Sequence, residues 1–71
     1  MGANRVKEAR EKEGMPRAAF ARLAEISDRT LQRLEAGTTV TEVTKNKVVN
    51  AFNRLPNKQR IYTSDFLFRK E

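Results

Sequence analysis

Residues 14–37 read GMPRAAFARLAEISDRTLQRLEAG, and this segment predicts two short helices joined by a tight turn. Pro16 suits the first turn of a helix, where its missing N–H costs no hydrogen bond. Apolar side chains then share one face of that helix at intervals of three and four residues, namely Phe20, Leu23 and Ala24. Ser27 is a favourable N-cap for a second helix, and Gly37 is a favourable C-cap. About three residues, Glu25 to Ser27, remain for the turn.

Two short helices joined by such a turn must cross steeply, which leaves one side of the second helix protruding. At about 100° per residue, the positions of this helix separate into two sides. The inward side is predicted to hold Ser27, Leu31, Leu34 and Glu35, and the outward side to hold Arg29, Gln32, Arg33 and Ala36. Asp28 lies between the two sides, in the first turn.

The outward side has the chemistry needed to contact base edges in a DNA major groove. Arginine offers two donors to O6 and N7 of guanine, and glutamine matches N6 and N7 of adenine. Asp28 can accept from cytosine N4, or it can pair with Arg29 or Gln32 and fix their rotamers. An acid here also repels phosphate, which disfavours a purely non-specific clamp. A solvated charged helix face is the alternative interpretation, because arginine and glutamine are ordinary on such a face.

The segments that flank residues 14–37 also favour helices. Arg5 to Glu13 carries charges at helical spacing, and Gly14 ends it. A fourth helix is predicted from about Val43 to Leu55, because apolar residues recur there at helical spacing, including Val48 and Phe52. Pro56 prevents its continuation. The sequence therefore predicts an all-α fold with a compact four- to five-helix arrangement.

The C-terminal segment, residues 57–71, is predicted to complete a domain formed by residues 1–56. The sequence Thr63-Ser64-Asp65 favours a short fifth helix, whereas Tyr62 to Phe68 also fits one extended strand; we favour the helix. The segment concentrates large apolar side chains, Tyr62, Phe66, Leu67 and Phe68. Two interpretations stay open: these residues cover the core between the first and fourth helices, or part of them forms a dimer contact.

The composition excludes most catalytic and membrane functions. The 71 residues contain no cysteine and no histidine, which rules out disulfides, thiolate zinc sites and Ser–His–Asp triads. No apolar run approaches the roughly 18–20 residues of a membrane span. The acids are interleaved with bases and do not resemble a paired-carboxylate cleft. We therefore expect no enzyme activity, no cofactor, no metal and no membrane partner, and no small-molecule ligand is evident.

The positive charge is spread along the chain. Fifteen Lys and Arg against nine Asp and Glu give +6, and a basic balance favours polyanions. Residues 1–37 hold eight basic and six acidic side chains, a net of only +2, whereas residues 38–71 hold seven and three, a net of +4. Because the outward helix lies in the less charged half, a few placed residues rather than bulk charge are expected to select the ligand.

Residues 5–55 resemble a Cro/C1-type helix-turn-helix domain of the lambda-repressor-like, or XRE, family. The resemblance lies in Arg10, the run from Gly14 to Ala21, the pair Ile26-Ser27 and the run from Leu31 to Gly37. It implies a lambda-repressor-like fold and an ion pair between Arg10 and Glu35. Three positions depart from the family pattern: Glu25 replaces the usual turn glycine, Pro16-Arg17 replaces Ser/Thr-Gln, and Thr41-Glu42 stands where many members carry proline.

The resemblance also implies which residues contact DNA. The base contacts fall on Asp28, Arg29 and Arg33, with Gln32 as a neighbour. The phosphate contacts fall on Pro16 and Arg17 and, after the third helix, on Thr38, Thr39 and Thr41; helix N-terminal amides and short hydroxyls are suitable phosphate donors. Lys45 and Lys47, near the start of the fourth helix, are further candidates, with an ordinary solvated face as the alternative.

The functional hypothesis is a sequence-specific regulator of transcription, and specifically a repressor, that binds double-stranded DNA as a homodimer. One helix contacts too few base pairs for genomic specificity, and a dimer places two such helices about 34 Å apart. We expect a cytoplasmic protein of prokaryotic or phage origin. The alternative is a protein–protein interaction or antitoxin-type module built on the same fold.

Overall fold

Five α-helices make up the secondary structure of the part of the chain that the structure describes. This computed structural model describes residues 4–38, 40–56, 58 and 60–68. The helices are α1 (Val6–Lys12), α2 (Arg17–Ala24), α3 (Asp28–Glu35), α4 (Glu42–Asn53) and α5 (Ser64–Phe68), and these ranges contain no strand. The predicted all-α fold is confirmed, and residues 64–68 form the short fifth helix rather than a strand.

Side-chain hydroxyls cap the N-terminal ends of three of the five helices. Ser27 Oγ accepts from the backbone N–H of Thr30 at 3.0 Å, and Thr41 Oγ1 accepts from that of Thr44 at 3.2 Å. Thr63 forms the same type of bond at the start of α5. These bonds satisfy backbone donors that have no partner within the helix, which fixes where each helix begins. Helix α4 accordingly begins at Glu42, one residue earlier than predicted.

The turn between α2 and α3 uses a left-handed residue. Glu25 has φ 60° and ψ 40°, and it is the site where the family pattern has glycine. The backbone N–H of Ile26 donates to the carbonyl of Ala21, and that of Glu25 to the carbonyl of Arg22, which is the paired bonding of a Schellman motif. Glu25 therefore adopts the left-handed conformation, which costs a non-glycine residue about 1 kcal/mol.

The core lies where all five helices meet. Its fully buried large side chains are Val6, Phe20, Leu31, Leu34, Val48, Phe52 and Leu67. The ring centroids of Phe20 and Phe52 are 4.5 Å apart, which joins α2 to α4. Such tilted aromatic pairs add to the free energy of burial. Helix α2 therefore packs against both α3 and α4, and α1 also contacts α3.

Two described residues of the C-terminal segment, Tyr62 and Leu67, lie in this core. Tyr62 and Leu67 are 3% and 0% exposed, and the backbone N–H of Arg5 donates to the carbonyl of Leu67 at 2.8 Å. Phe66 and Phe68 are half-buried against the same core. The side chains of Tyr62 and Leu67 are therefore not accessible to a second chain, and a dimer contact from this segment is left to Phe66 and Phe68. None of the described helices has the length and apolarity needed to cross a membrane.

Candidate nucleic-acid interface

Helix α3 has one buried side and one exposed side, as the helical spacing predicts. Leu31 and Leu34 are 0% and 1% exposed. The opposite side is solvent-exposed and carries Arg29, Gln32, Arg33 and Ala36. Within the described residues, the side chains of Arg29, Gln32 and Arg33 form no hydrogen bond or ion pair, so their donors point into solvent. One inward assignment was wrong: Ser27 is exposed, because its hydroxyl caps the helix from outside.

Arg10 and Glu35, the pair implied by the resemblance, are hydrogen bonded. Arg10 Nε donates to Glu35 Oε2 at 2.7 Å, and Nη2 donates to Oε1 at 3.3 Å. Arg10 Nη1 also donates to the carbonyl of Met15 at 2.8 Å. The side chains are only 10% and 7% exposed, so solvent screens this two-pronged contact weakly. The pair ties α1 and the loop before α2 to the end of α3, which fixes the direction of α3.

Arg17 and Asp28 form a second ion pair, between the first turns of α2 and α3. Arg17 Nε lies 3.1 Å from Asp28 Oδ1, and the side chains are 42% and 49% exposed. The sequence left two roles open for Asp28, accepting from cytosine N4 or pairing with Arg29 or Gln32. The structure pairs it with Arg17 instead, because the sharp turn brings the start of α2 beside the start of α3. A predicted phosphate ligand thus contacts a predicted base-contacting residue.

The start of α2 presents unpaired backbone donors. Pro16 is its N-cap and supplies no side-chain hydrogen bond, so the backbone N–H groups of Arg17, Ala18 and Ala19 have no partner within the helix. All three residues are exposed. The positive end of the helix dipole lies at the same place, which makes it favourable for an anion.

The predicted threonine contacts after α3 have different surroundings. Thr38 is exposed, and its backbone N–H donates to the carbonyl of Arg33 at 3.0 Å. Thr41 is exposed, but its hydroxyl is already engaged as the cap of α4. Thr39 lies outside the described residues. Thr38 is therefore the described threonine whose hydroxyl has no other role.

The two lysines of α4 differ in their surroundings. Lys45 Nζ lies 3.5 Å from Glu42 Oε2 and 5.5 Å from the ring centroid of Phe68 in α5, so this side chain is engaged within the chain. Lys47 is exposed and has no such contact in the described part of the chain. The two lysines were predicted together, and the structure favours only Lys47 as a free cation.

A known protein family matches the part of the chain that contains these helices. A family model described as helix-turn-helix, of the Cro/C1 type, matches residues 6–55, from the first residue of α1 to just past the end of α4. The chain belongs to this helix-turn-helix family. No curated protein and no solved structure is significantly similar to it. Its fold is lambda-repressor-like, and it is a DNA-binding regulatory protein of a kind that generally lacks enzyme activity.

Within this helix-turn-helix protein, α2 and α3 form the motif. Sequence analysis missed the hydrogen bonds of two residues outside it, Asn4 and Tyr62. Asn4 Nδ2 donates to the carbonyl of Leu34 at 2.8 Å, and Asn4 Oδ1 accepts from the backbone N–H of Val6 at 3.0 Å. The Tyr62 hydroxyl donates to Glu13 Oε2. An asparagine two residues before a helix is a recognisable signal, but nothing in the sequence indicates the pairing of Glu13.

Proposed function

We propose that this helix-turn-helix protein is a repressor that binds double-stranded DNA sequence-specifically as a homodimer, with α3 in the major groove. The observation that carries the proposal is the exposed side of α3, where Arg29, Gln32 and Arg33 have no partner among the described residues. Their backbone is held rigidly, since the opposite side is buried and the Arg10–Glu35 pair anchors the helix end.

The base contacts in this proposal come from the N-terminal and central turns of α3. Arg29 and Arg33 are four residues apart and therefore lie one above the other, where each can donate twice to a guanine. Gln32 lies beside them and can match an adenine. Asp28 can accept from a cytosine or fix the guanidinium of Arg17. Each well-formed double contact discriminates by about 1–3 kcal/mol.

The phosphate contacts flank α3 on both sides. The free N–H groups after Pro16 and the guanidinium of Arg17 are proposed to meet one strand, and Thr38 with Lys47 the other. Thr39 remains a candidate from the resemblance. Thr41 and Lys45 contribute less, because capping and the contact with Phe68 already engage their polar atoms.

Dimerisation and repression complete the proposal. A second copy would place another α3 one helical turn of DNA away, about 34 Å, and half-buried Phe66 and Phe68 are the aromatic residues of the tail that could join the copies. Bound to an operator in the cytoplasm, such a dimer would exclude other proteins from the site.

Selection of bound sites from a random duplex library tests this function. The expected result is one enriched motif of two inverted half-sites, with centres about 10 base pairs or a multiple of that apart. An enriched single half-site would contradict the dimer. Failure to enrich any motif, together with weak binding to all duplexes, would favour the protein-interaction module instead.

A further inference from the structure

A groove between α1 and α5 forms a second basic surface, away from the motif helices. It has a volume of about 550 Å³, and its functional groups come from Arg5, Glu8, Lys12, Arg60, Tyr62 and Phe66. Three of these side chains are cationic and one is anionic, and a second carboxylate, that of Glu13, accepts from the Tyr62 hydroxyl. These charges are local to a concave site, whereas the charge of α3 lies on a convex helix.

The groove lies on the side of α1 that faces away from α3. Glu8 and Lys12 are four residues apart and share one face of α1. Arg10 is two residues from each, which places it about 200° away around the helix, and its guanidinium contacts Glu35 in α3. A ligand in the groove would therefore leave the exposed side of α3 uncovered, and both surfaces could be occupied together.

Phe66 positions two of the three cations. The guanidinium carbon of Arg60 lies 3.8 Å from the centroid of the Phe66 ring, and that of Arg5 lies 5.1 Å from it. Such cation–π contacts restrict the guanidinium planes. A guanidinium that is already oriented loses less conformational entropy when its N–H groups bind an anion. The half-buried ring thus gives the groove one preorganised guanidinium, that of Arg60.

We propose that this groove binds a carboxylate-bearing peptide segment of a partner protein. Carboxylates accept two parallel hydrogen bonds from a guanidinium such as that of Arg60, and Lys12 adds a further positive charge. Glu8 on the groove wall disfavours the dense charge of a phosphate backbone, and it can accept from a peptide N–H group. The regulator would then bind DNA through α3 and its partner through α1 and α5. This inference goes beyond the DNA-binding function and does not depend on it, and because Phe66 lines the groove it leaves Phe68 for the proposed dimer contact.

An octaglutamate peptide carrying a fluorescent label is a suitable probe, titrated with the full chain at low salt. Two matched pairs of substitutions separate the effect of the groove from the effect of net charge. The first pair is Lys12→Gln against Lys7→Gln, both exposed on α1, and the second is Arg60→Gln against Arg54→Gln, both exposed. The groove variants Lys12→Gln and Arg60→Gln are expected to weaken binding about three- to fivefold each. The controls are expected to change it by less than about twofold.

NMR amide shifts locate the peptide, and a conservative variant tests the role of the ring. Peptide-induced shifts are expected in α1 and around Arg60 and α5, with α3 unaffected. Phe66→Leu keeps an apolar side chain against the core, and it is expected to stay folded by circular dichroism while binding the peptide about threefold more weakly. Equal weakening by both members of each pair, or shifts centred on α3, would overturn the proposal. Displacement of the peptide from the groove by duplex DNA would also overturn it.

Discussion

Arg17 Nε donates to Asp28 Oδ1 at 3.1 Å, and this bond joins the first turn of α2 to the first turn of α3. Both side chains are about half exposed, so the pair adds at most about 1 kcal/mol to the free energy of unfolding. Its proposed importance lies in DNA binding. A phosphate that approaches the start of α2 competes with Asp28 for the guanidinium, so the acid opposes binding wherever a base contact does not engage it.

The first prediction concerns Asp28→Asn. Removal of this carboxylate frees Arg17 and ends the repulsion of phosphate, so we expect affinity for random duplexes to rise about five- to tenfold. The slope of log K against log salt should steepen by about one, because one more cation meets phosphate. Fluorescence anisotropy at several salt concentrations measures both quantities.

Asp65→Asn is the matched control for this prediction, because Asp65 is an exposed acid on α5 and its removal changes the net charge equally. It should raise random-duplex affinity by less than about twofold. Equal effects of the two substitutions would mean that net charge alone is responsible and that the contact with Arg17 has no role in DNA binding.

The second prediction compares, in urea unfolding, the two ion pairs that α3 forms with other helices. Arg10→Met removes three donated hydrogen bonds and leaves the nearly buried Glu35 without its cation, so we expect a loss of about 3 kcal/mol. Arg17→Met should cost less than about 1 kcal/mol, because its pair is exposed. The double variant Arg10→Met/Glu35→Met should recover part of the first loss. Similar losses for the two single variants would contradict the anchoring role of Arg10.

The third prediction concerns the strained turn. Glu25→Gly should stabilise the protein by about 0.5–1 kcal/mol, since glycine adopts a φ of 60° without the penalty of a Cβ atom. Glu25→Ala keeps a Cβ atom and should change stability by less than about 0.5 kcal/mol. The midpoint of urea unfolding measures both, and a stabilisation by alanine equal to that by glycine would show that the glutamate side chain, not the backbone, is unfavourable.

The fourth prediction concerns alkaline pH. Burial, reinforced by the hydrogen bond to Glu13, raises the pKa of Tyr62 from 10.0 to about 12. The Tyr62 hydroxyl therefore loses its proton at lower pH in the unfolded chain than in the folded chain. Its contribution to the free energy of unfolding is complete below pH 10 and is lost as pH rises from 10 to 12.

Tyr62→Phe isolates this effect from the ionisation of the lysines. The variant should be about 1 kcal/mol less stable at pH 7, because the hydroxyl no longer donates to Glu13. The difference between the two proteins should shrink from pH 10 to pH 12, as followed by urea unfolding at each pH. A difference that stays constant over this range would show that the hydroxyl does not titrate as described.

Features that depend on local chemistry could be predicted from the sequence. The cap at Ser27 and the buried side of α3 at Leu31 and Leu34 each follow from a few neighbouring residues. The fifth helix followed from the capping sequence that contains Thr63, although Tyr62 to Phe68 also fitted one extended strand.

Features that depend on which distant residues meet in space could not be predicted. The pairing of Arg17 with Asp28 requires the crossing angle of α2 and α3, which the turn length bounds but does not determine. The contact of Lys45 with Phe68 depends on where α5 packs, and helical spacing carries no information on that. Only the Arg10–Glu35 pair was anticipated across such a separation, and it came from the family resemblance rather than from the residues themselves.

The central claim is that Arg29 and Arg33 select the DNA sequence, and one ratio tests it most directly. This ratio compares the affinity for the selected duplex with the affinity for a random duplex at the same salt concentration. Arg29→Ala and Arg33→Ala should each lower it about 5- to 150-fold, which corresponds to 1–3 kcal/mol per lost contact. Arg54→Ala, which removes an exposed cation after α4, should leave it unchanged. Equal losses on both duplexes for Arg29→Ala and Arg33→Ala would contradict the claim, because the arginines would then contact phosphate only.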